Sequence, residues 1–316
     1  MGNEYFTGAT VDDVMRHVVE ALAARGEHVS ASRGCFMELT GVFVELTDPR
    51  ARLSRTESRG KPFSSLGELC WYLAGTNRLD FIEYYIPKYK DDADGDVVYG
   101  GYGPRLLSWR GQNQIKNVIE RMQEQRTTRR AVIQLFDADD LAGPHKDLPC
   151  TCVIQFLVRE DKLHTITYMR SNDAHIGFPH DVFCFTMLQE LVARSLEIEM
   201  GTYRHVVGSL HLYDHDREKA DAFLSEGYQS TKEPMPSMPI GDPWAAVAAL
   251  LKAESLVRAG LALTADVLPR EPYWADLVRL LQIFFATKAK DGKRIAELRD
   301  AMSCRVYDPF IGAKLA

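Results

Sequence analysis

Three β-rich runs, at 131–136, 153–158 and 163–169, lie close together in this chain, and an apolar helix over 182–199 and a further strand at 206–213 follow them. Strands adjacent in sequence tend to pair. These runs are not separated by a regular strand–helix alternation, so they do not build a doubly wound parallel sheet. The pattern therefore predicts an α+β fold around a mixed sheet.

The flanks extend this reading. Residues 10–25 read as a helix. Val11, Val14, Val18 and Leu22 recur at helical spacing, Thr10 and Asp13 have capping-box spacing, and Gly26 suits the C-terminal end. The stretch 35–47 is β-rich and 65–75 reads as a buried helix. Residues 88–105 carry glycine and proline among polar residues and are expected to be a long loop, followed by a helix at 112–125. EPMPSMPIGDP (233–243) is a connector, and 244–260 and 273–303 are helical by their i, i+3, i+4 pattern. The organisation expected is a catalytic domain over 1–235, an added helical segment over 236–303 and a tail over 304–316.

Charge and composition exclude several classes. With 38 Lys and Arg against 44 Asp and Glu, the net charge is −6. A general nucleic-acid binder needs a basic surface, so nucleic acid is not an expected partner. No run of about 18 apolar residues occurs, so no membrane span is expected. The start, MGNEYFTGATVDD, lacks a basic segment followed by an apolar one. No signal peptide is expected, and the protein is expected in the cytoplasm. Its six cysteines are then expected to be reduced.

Five stretches could carry chemistry. Cys150, in DLPCTC (147–152), follows a proline at a strand entrance. It reads either as an exposed nucleophile or as a core cysteine. The CxC pair has no second ligand pair, so no metal site is expected. In YMRSNDAHIGFPHD (168–181), Arg170 and Ser171 could hold a phosphate, and the alternative is a polar turn before a helix. RTTRR (126–130) reads as a solvated charge run or an anion clamp. His211 and Tyr213 are two apart on a strand, so they share a face and could hold a sugar. Glu68 stands among Leu66, Leu69, Trp71 and Leu73, where burial would suit acid–base work, or it lies on a face turned to water.

Taken in order, GELCWYLAG, RR, LPC, RSND with GFPHD, and SLHLY resemble thymidylate synthase from about Arg33 to Tyr213. The resemblance implies a large twisted mixed β-sheet with helices on one side, dimerising through its other face, here with a C-terminal helical extension. It implies a pyrimidine nucleotide substrate and 5,10-methylenetetrahydrofolate as co-substrate, with no metal. It makes Cys150 the nucleophile, Glu68 the catalytic glutamate, Trp71 its neighbour and Tyr102 the tyrosine of the YG loop. Arg33, Arg170 and Ser171 become phosphate ligands, joined by Arg129 and Arg130 from the partner subunit of a homodimer. Asp173, with Gly177 near it, falls beside the folate, and His211 and Tyr213 fall on the sugar.

The departures refine the expectation. Thymidylate synthases read PFN where this chain reads Pro179-His180-Asp181, so the asparagine that reads uracil is replaced by aspartate. A protonated carboxyl can donate to N3 of cytosine and accept from its amino group, and a carboxylate can accept from both once N3 is protonated. SLHLY replaces a GDAH-type strand. Both changes resemble phage deoxycytidylate hydroxymethylases. They imply a cytidylate 5-hydroxymethylase that takes CMP or dCMP, methylenetetrahydrofolate and water to 5-hydroxymethyl-cytidylate and tetrahydrofolate. Ala174 is smaller than the valine common there, which leans toward CMP and toward nucleoside-antibiotic biosynthesis. The alternatives are a dUMP-methylating synthase and a catalytically idle member that binds nucleotide or protein. CRVYDPFIGAKLA echoes a tail that folds over the folate.

Overall fold

The computed structural model describes residues 4–31, 34–54, 62–226, 233–264 and 267–315. The chain enters through β1 (Tyr5–Gly8), α1 (Val11–Arg25), β2 (Glu27–Ala31) and β3 (Gly34–Leu46). The Thr10 hydroxyl accepts from the Asp13 amide and the Asp13 carboxylate from the Thr10 amide, the reciprocal cap expected from their spacing. A run of helices follows: α2 (Pro62–Leu73), α3 (Leu79–Tyr85), α4 (Tyr89–Asp92), α5 (Tyr102–Leu107) and α6 (Gln114–Glu124). The stretch expected as a loop at 88–105 thus holds one short helix, α4, and the start of another, α5.

Next come β4 (Val132–Gln134), β5 (Thr151–Arg159), β6 (Lys162–Asp173), α7 (Gly177–Ser195), β7 (Glu199–Tyr213) and α8 (Arg217–Ser225). The helix expected over 182–199 begins earlier, at Gly177. Asp173 accepts from the amides of His175 and Ile176 and holds the turn that starts it. The chain closes with α9 (Trp244–Arg258), α10 (Pro272–Lys288), α11 (Gly292–Asp300) and α12 (Asp308–Gly312). The single helix expected at 273–303 is two. Lys290 takes a φ of 56° and ends the first, and the Asp291 side chain caps the second.

The strands form one mixed sheet in the order β1-β3-β7-β6-β5-β4, with β2 added on β3. β6 and β7 run parallel, as do β1 and β3, and the other pairs are antiparallel. Register explains the two faces. Leu46, Tyr203, Thr165 and Phe156 form one cross-strand row, and Val44, His205, Thr167 and Ile154 the next; all eight are buried. The alternate row, Phe43, Val206, Tyr168 and Val153, points the other way and is only partly covered. The period of two along each strand separates a helix-covered face from an open one. α1 and α7 pack on the covered face.

The C-terminal helices share this core. Tyr85 donates to Glu254 of α9 at 2.8 Å, and its ring meets Phe284 of α10. Buried residues from α1 to α12 form one apolar cluster. The tail is anchored by Asp276, which accepts from the amides of Ser303 and Cys304, while Tyr307 and Ile311 are buried. Among the described residues no helix is long and apolar enough to cross a membrane, and all six cysteines are free thiols.

Candidate active site

Strand pairing assembles the site. Because β6 and β7 are parallel and in register, Ser171 lies beside Ser209 and Asp173 beside His211. Two sequence stretches about forty residues apart therefore end at the same edge. β5 is antiparallel to β6, which puts Cys150, just before β5, next to Arg170; the Arg170 amide donates to the Cys150 carbonyl at 2.8 Å. α2, packed against α5 and α7, brings Glu68 and Trp71. Together they surround a cavity of about 1030 Å³.

Cys150, Glu68, Trp71, Tyr102, Arg170, Ser171, Asp173, Gly177, Asp181, His211 and Tyr213 all line this cavity. Arg33 lies outside the described residues. Arg129 and Arg130 do not line it; they are exposed just before β4. Among the described residues, His28, Cys35 and Asp214 bring three potential metal-ligand atoms within 4.8 Å of one another. That group lies outside the cavity lining.

The nucleophile candidate sits in a cationic setting. Arg170 donates to the carbonyls of Pro149 and Leu148, each at 3.0 Å, and its Nη2 lies 3.7 Å from the Cys150 Sγ. A guanidinium against sulfur is the arrangement in which a thiol works as thiolate. Tyr102 lies just beyond. Its hydroxyl accepts from the Thr151 amide at 3.0 Å and from the Thr151 hydroxyl at 2.9 Å, so its own proton is left for the cavity. Burial, then the nearby Cys150, pushes the Tyr102 phenol well above its ordinary value, so it is neutral.

Two carboxyls, Glu68 and Asp181, line the cavity with different partners. Glu68 is 5% exposed, and its Oε1 accepts from Tyr89 at 2.5 Å and Tyr72 at 3.1 Å. Asp181 Oδ2 accepts from the Asn172 side chain at 2.8 Å. Asn172 Oδ1 meets His205 Nε2 at 3.0 Å, and His205 Nδ1 meets the Tyr203 hydroxyl at 2.8 Å. Burial pushes His205 down to about 3, so the imidazole is neutral. It then donates from Nε2 and accepts at Nδ1, which fixes the Asn172 amide with its NH2 toward Asp181. Burial, with the Glu68 charge second, raises the Asp181 carboxyl well above the usual range. A Cβ on Gly177 would lie 3.0 Å from Asn172 Nδ2, so glycine leaves this amide its room.

The sugar-side pair is aromatic. His211 and Tyr213 stand edge to face at 4.9 Å, with Phe36 beside both. Burial lowers the His211 imidazole, against the raising effect of Asp173. Trp71 is fixed by donating from its indole to the Arg78 carbonyl at 3.2 Å.

Sequence reasoning missed Asn172, Tyr72 and Tyr89 as site residues. Tyr72 was readable, since it stands four residues after Glu68 on the same helix. Asn172 stood inside the RSND motif. Tyr89 had no signal, because it lies in a stretch whose sequence reads as a loop and reaches Glu68 only through the fold.

A family model described as thymidylate synthase matches residues 55–252, which is more than half of the chain and reaches into α9. This chain belongs to the thymidylate synthase family. It is similar to the deoxyuridylate hydroxymethyltransferase of Bacillus phage SP01, at 27% identity over 66% of this chain and 58% of that protein. The proteins of the same name from Pseudomonas phage M6 and Delftia phage PhiW-14 are 32% and 28% identical, over 60% and 68% of this chain and 54% and 63% of theirs. The chain thus spans little more than half the length of these curated relatives. Within the family, then, this thymidylate synthase homologue has named relatives that carry out hydroxymethylation.

Proposed function

We propose that the protein is a cytidylate 5-hydroxymethylase, which transfers a one-carbon unit from methylenetetrahydrofolate, with water, to C5 of CMP or dCMP, with CMP favoured. The observation that carries this reading is Asp181. Its carboxyl faces the cavity, is raised by burial and is held at one oxygen by Asn172. As an acid it offers an O–H to N3 of cytosine and a carbonyl oxygen to the 4-amino group. As an anion it pairs with N3-protonated cytosine and repels O4 of uracil. CMP is favoured on the small side chain of Ala174, which is buried behind the cavity lining with its amide donating to the His211 carbonyl at 2.8 Å.

At about 1030 Å³ the cavity lies at the upper end of the range for ligand pockets. That fits a nucleotide with a folate above it, against Trp71, Asp173 and Gly177. Methylenetetrahydrofolate supplies the carbon and leaves as tetrahydrofolate. The Cys150 thiolate, favoured by Arg170, adds to C6 and makes C5 nucleophilic. Tyr102 assists loss of the C5 proton. Glu68 orients and activates the water that adds to the exocyclic carbon. Ser171 and Arg170 hold the 5′-phosphate with Arg33. Arg129 and Arg130 join them from the second subunit of a homodimer formed on the open face of the sheet.

The names of the phage relatives favour a second reading, in which the same hydroxymethylation acts on dUMP. One assay separates the two: tritium release from C5 of CMP, dCMP and dUMP side by side, with product mass. Hydroxymethylated cytidylate as the preferred product supports the proposal, and a preference for dUMP overturns it.

A further inference from the structure

We propose that Tyr89 and Tyr72 are positioning residues for the hydration step, holding one oxygen of Glu68 so that the other is presented to the attacking water. The inference rests on the hydroxymethylase reading above and deepens it.

The geometry is specific. Both phenols donate to the same oxygen, Oε1, and among the described residues no hydrogen bond reaches Oε2. The two donors come from separate elements. Tyr72 stands one turn after Glu68 on α2, while Tyr89 opens α4. Burial, and then the Glu68 charge, raises both phenols well above their ordinary value, so each keeps its proton. A phenol has one proton to give, and each gives it to Glu68. The Trp71 ring packs against both, 5.8 Å from Tyr72 and 5.4 Å from Tyr89. A carboxylate held at one oxygen cannot rotate freely, so its second oxygen keeps one direction into the cavity that Glu68 lines.

The step this serves balances without any further reagent. The water oxygen bonds to the methylene carbon on C5. The displaced electron pair forms the C5–C6 double bond as the C6–S bond breaks. Cys150 leaves as thiolate, and one water proton passes to Glu68 Oε2. Nothing in this step needs hydride, and a correctly aimed acceptor for the water proton commits the intermediate to the alcohol.

The test compares wild type with Tyr89→Phe, Tyr72→Phe and the double variant on whichever nucleotide wild type turns over. Tritium release from C5, product mass and capture of the exposed methylene by an added thiol are measured together. The expected result is a kcat for hydroxymethylation lower by about tenfold to a hundredfold, with nucleotide KM within about threefold. Tritium release should be retained and a larger share of intermediate captured as thioether. Retained tritium release also shows that the variant is folded. Unchanged product and capture in all three variants overturns the proposal, as does loss of tritium release in parallel with product, which marks the phenols as merely structural. If wild type forms no hydroxymethyl product from CMP, dCMP or dUMP, the hydroxymethylase reading itself fails, a result distinct from either.

Discussion

The Nη2 of Arg170 lies 3.7 Å from the Sγ of Cys150, while the same guanidinium holds the carbonyls of Leu148 and Pro149. One side chain thus fixes the backbone that presents the thiol and sets positive charge against it. Lysine keeps the charge but loses the planar fork. Arg170→Lys should lower kcat/KM at least about tenfold, a transition-state loss of about 1.4 kcal/mol. The same variant should slow formation of a covalent adduct with 5-fluoro-dCMP. Cys150→Ser should abolish both adduct and product while nucleotide affinity stays within about tenfold. Activity near wild type in Cys150→Ser would sink the covalent route.

Base choice should follow residue 181. Asp181→Asn should weaken turnover of the cytosine nucleotide and raise that of dUMP or UMP. A mismatched hydrogen bond in a buried site costs about 1–3 kcal/mol. The swing in relative kcat/KM should be on the order of tenfold to a few hundredfold. The product should remain a hydroxymethyl group, because the proposed mechanism gives the base edge to residue 181 and the water to Glu68. An unchanged cytosine-to-uracil ratio counts against the role given to Asp181.

The same substitution should change stability with pH. The folded Asp181 keeps its proton above the ordinary value of 3.8, where the unfolded chain has lost it. Its contribution is therefore fully present below that value and is lost as pH rises through the folded one. Asn cannot titrate, so the gain in Tm of Asp181→Asn over wild type should grow as pH rises from the ordinary carboxylate value toward the raised folded one. A Tm difference that is flat or shrinks across that range would contradict the raised carboxyl.

A buried ion pair ties the region before α2 to α7. Arg52 meets Glu190, both side chains fully buried, and the Met238 amide donates to Glu190 Oε1 at 2.8 Å. Arg52→Met leaves the carboxylate buried without its cation, which costs about 3–5 kcal/mol. Urea unfolding should show a loss of that size in unfolding free energy, and Glu190→Gln, which leaves the buried guanidinium without its counter-charge, should also destabilise.

Sites shared between subunits, as proposed, carry a further prediction. Arg129 and Arg130 are exposed and away from their own cavity. Mixing Cys150→Ser with Arg130→Ala subunits should give heterodimers with one site carrying both lesions and one carrying neither. Activity should partly return after verified subunit exchange. No recovery argues against arginines that reach across.

What the chain's residues determined alone was local or ordered along the chain. The Thr10–Asp13 cap, the two-residue alternation of β6 and the helical spacing of α1 are properties of neighbours, and each is present in the structure. The LPC, RSND and SLHLY motifs already selected Cys150, Arg170, Ser171, Asp173, His211 and Tyr213, all of which line the cavity. Local pattern could not foresee the break at Lys290, where one residue takes a left-handed turn inside an otherwise helical run. It could not foresee β2 either, a mostly exposed strand with no apolar stripe, which exists because β3 offers it an edge. The meeting of Tyr89 with Glu68, and the chain from Tyr203 through His205 and Asn172 to Asp181, were decided by tertiary structure. Periodicity reports which face of an element is buried. Which buried polar groups then find one another depends on how strands register and how α2, α4 and α7 close over them, and that is settled only when the whole core packs.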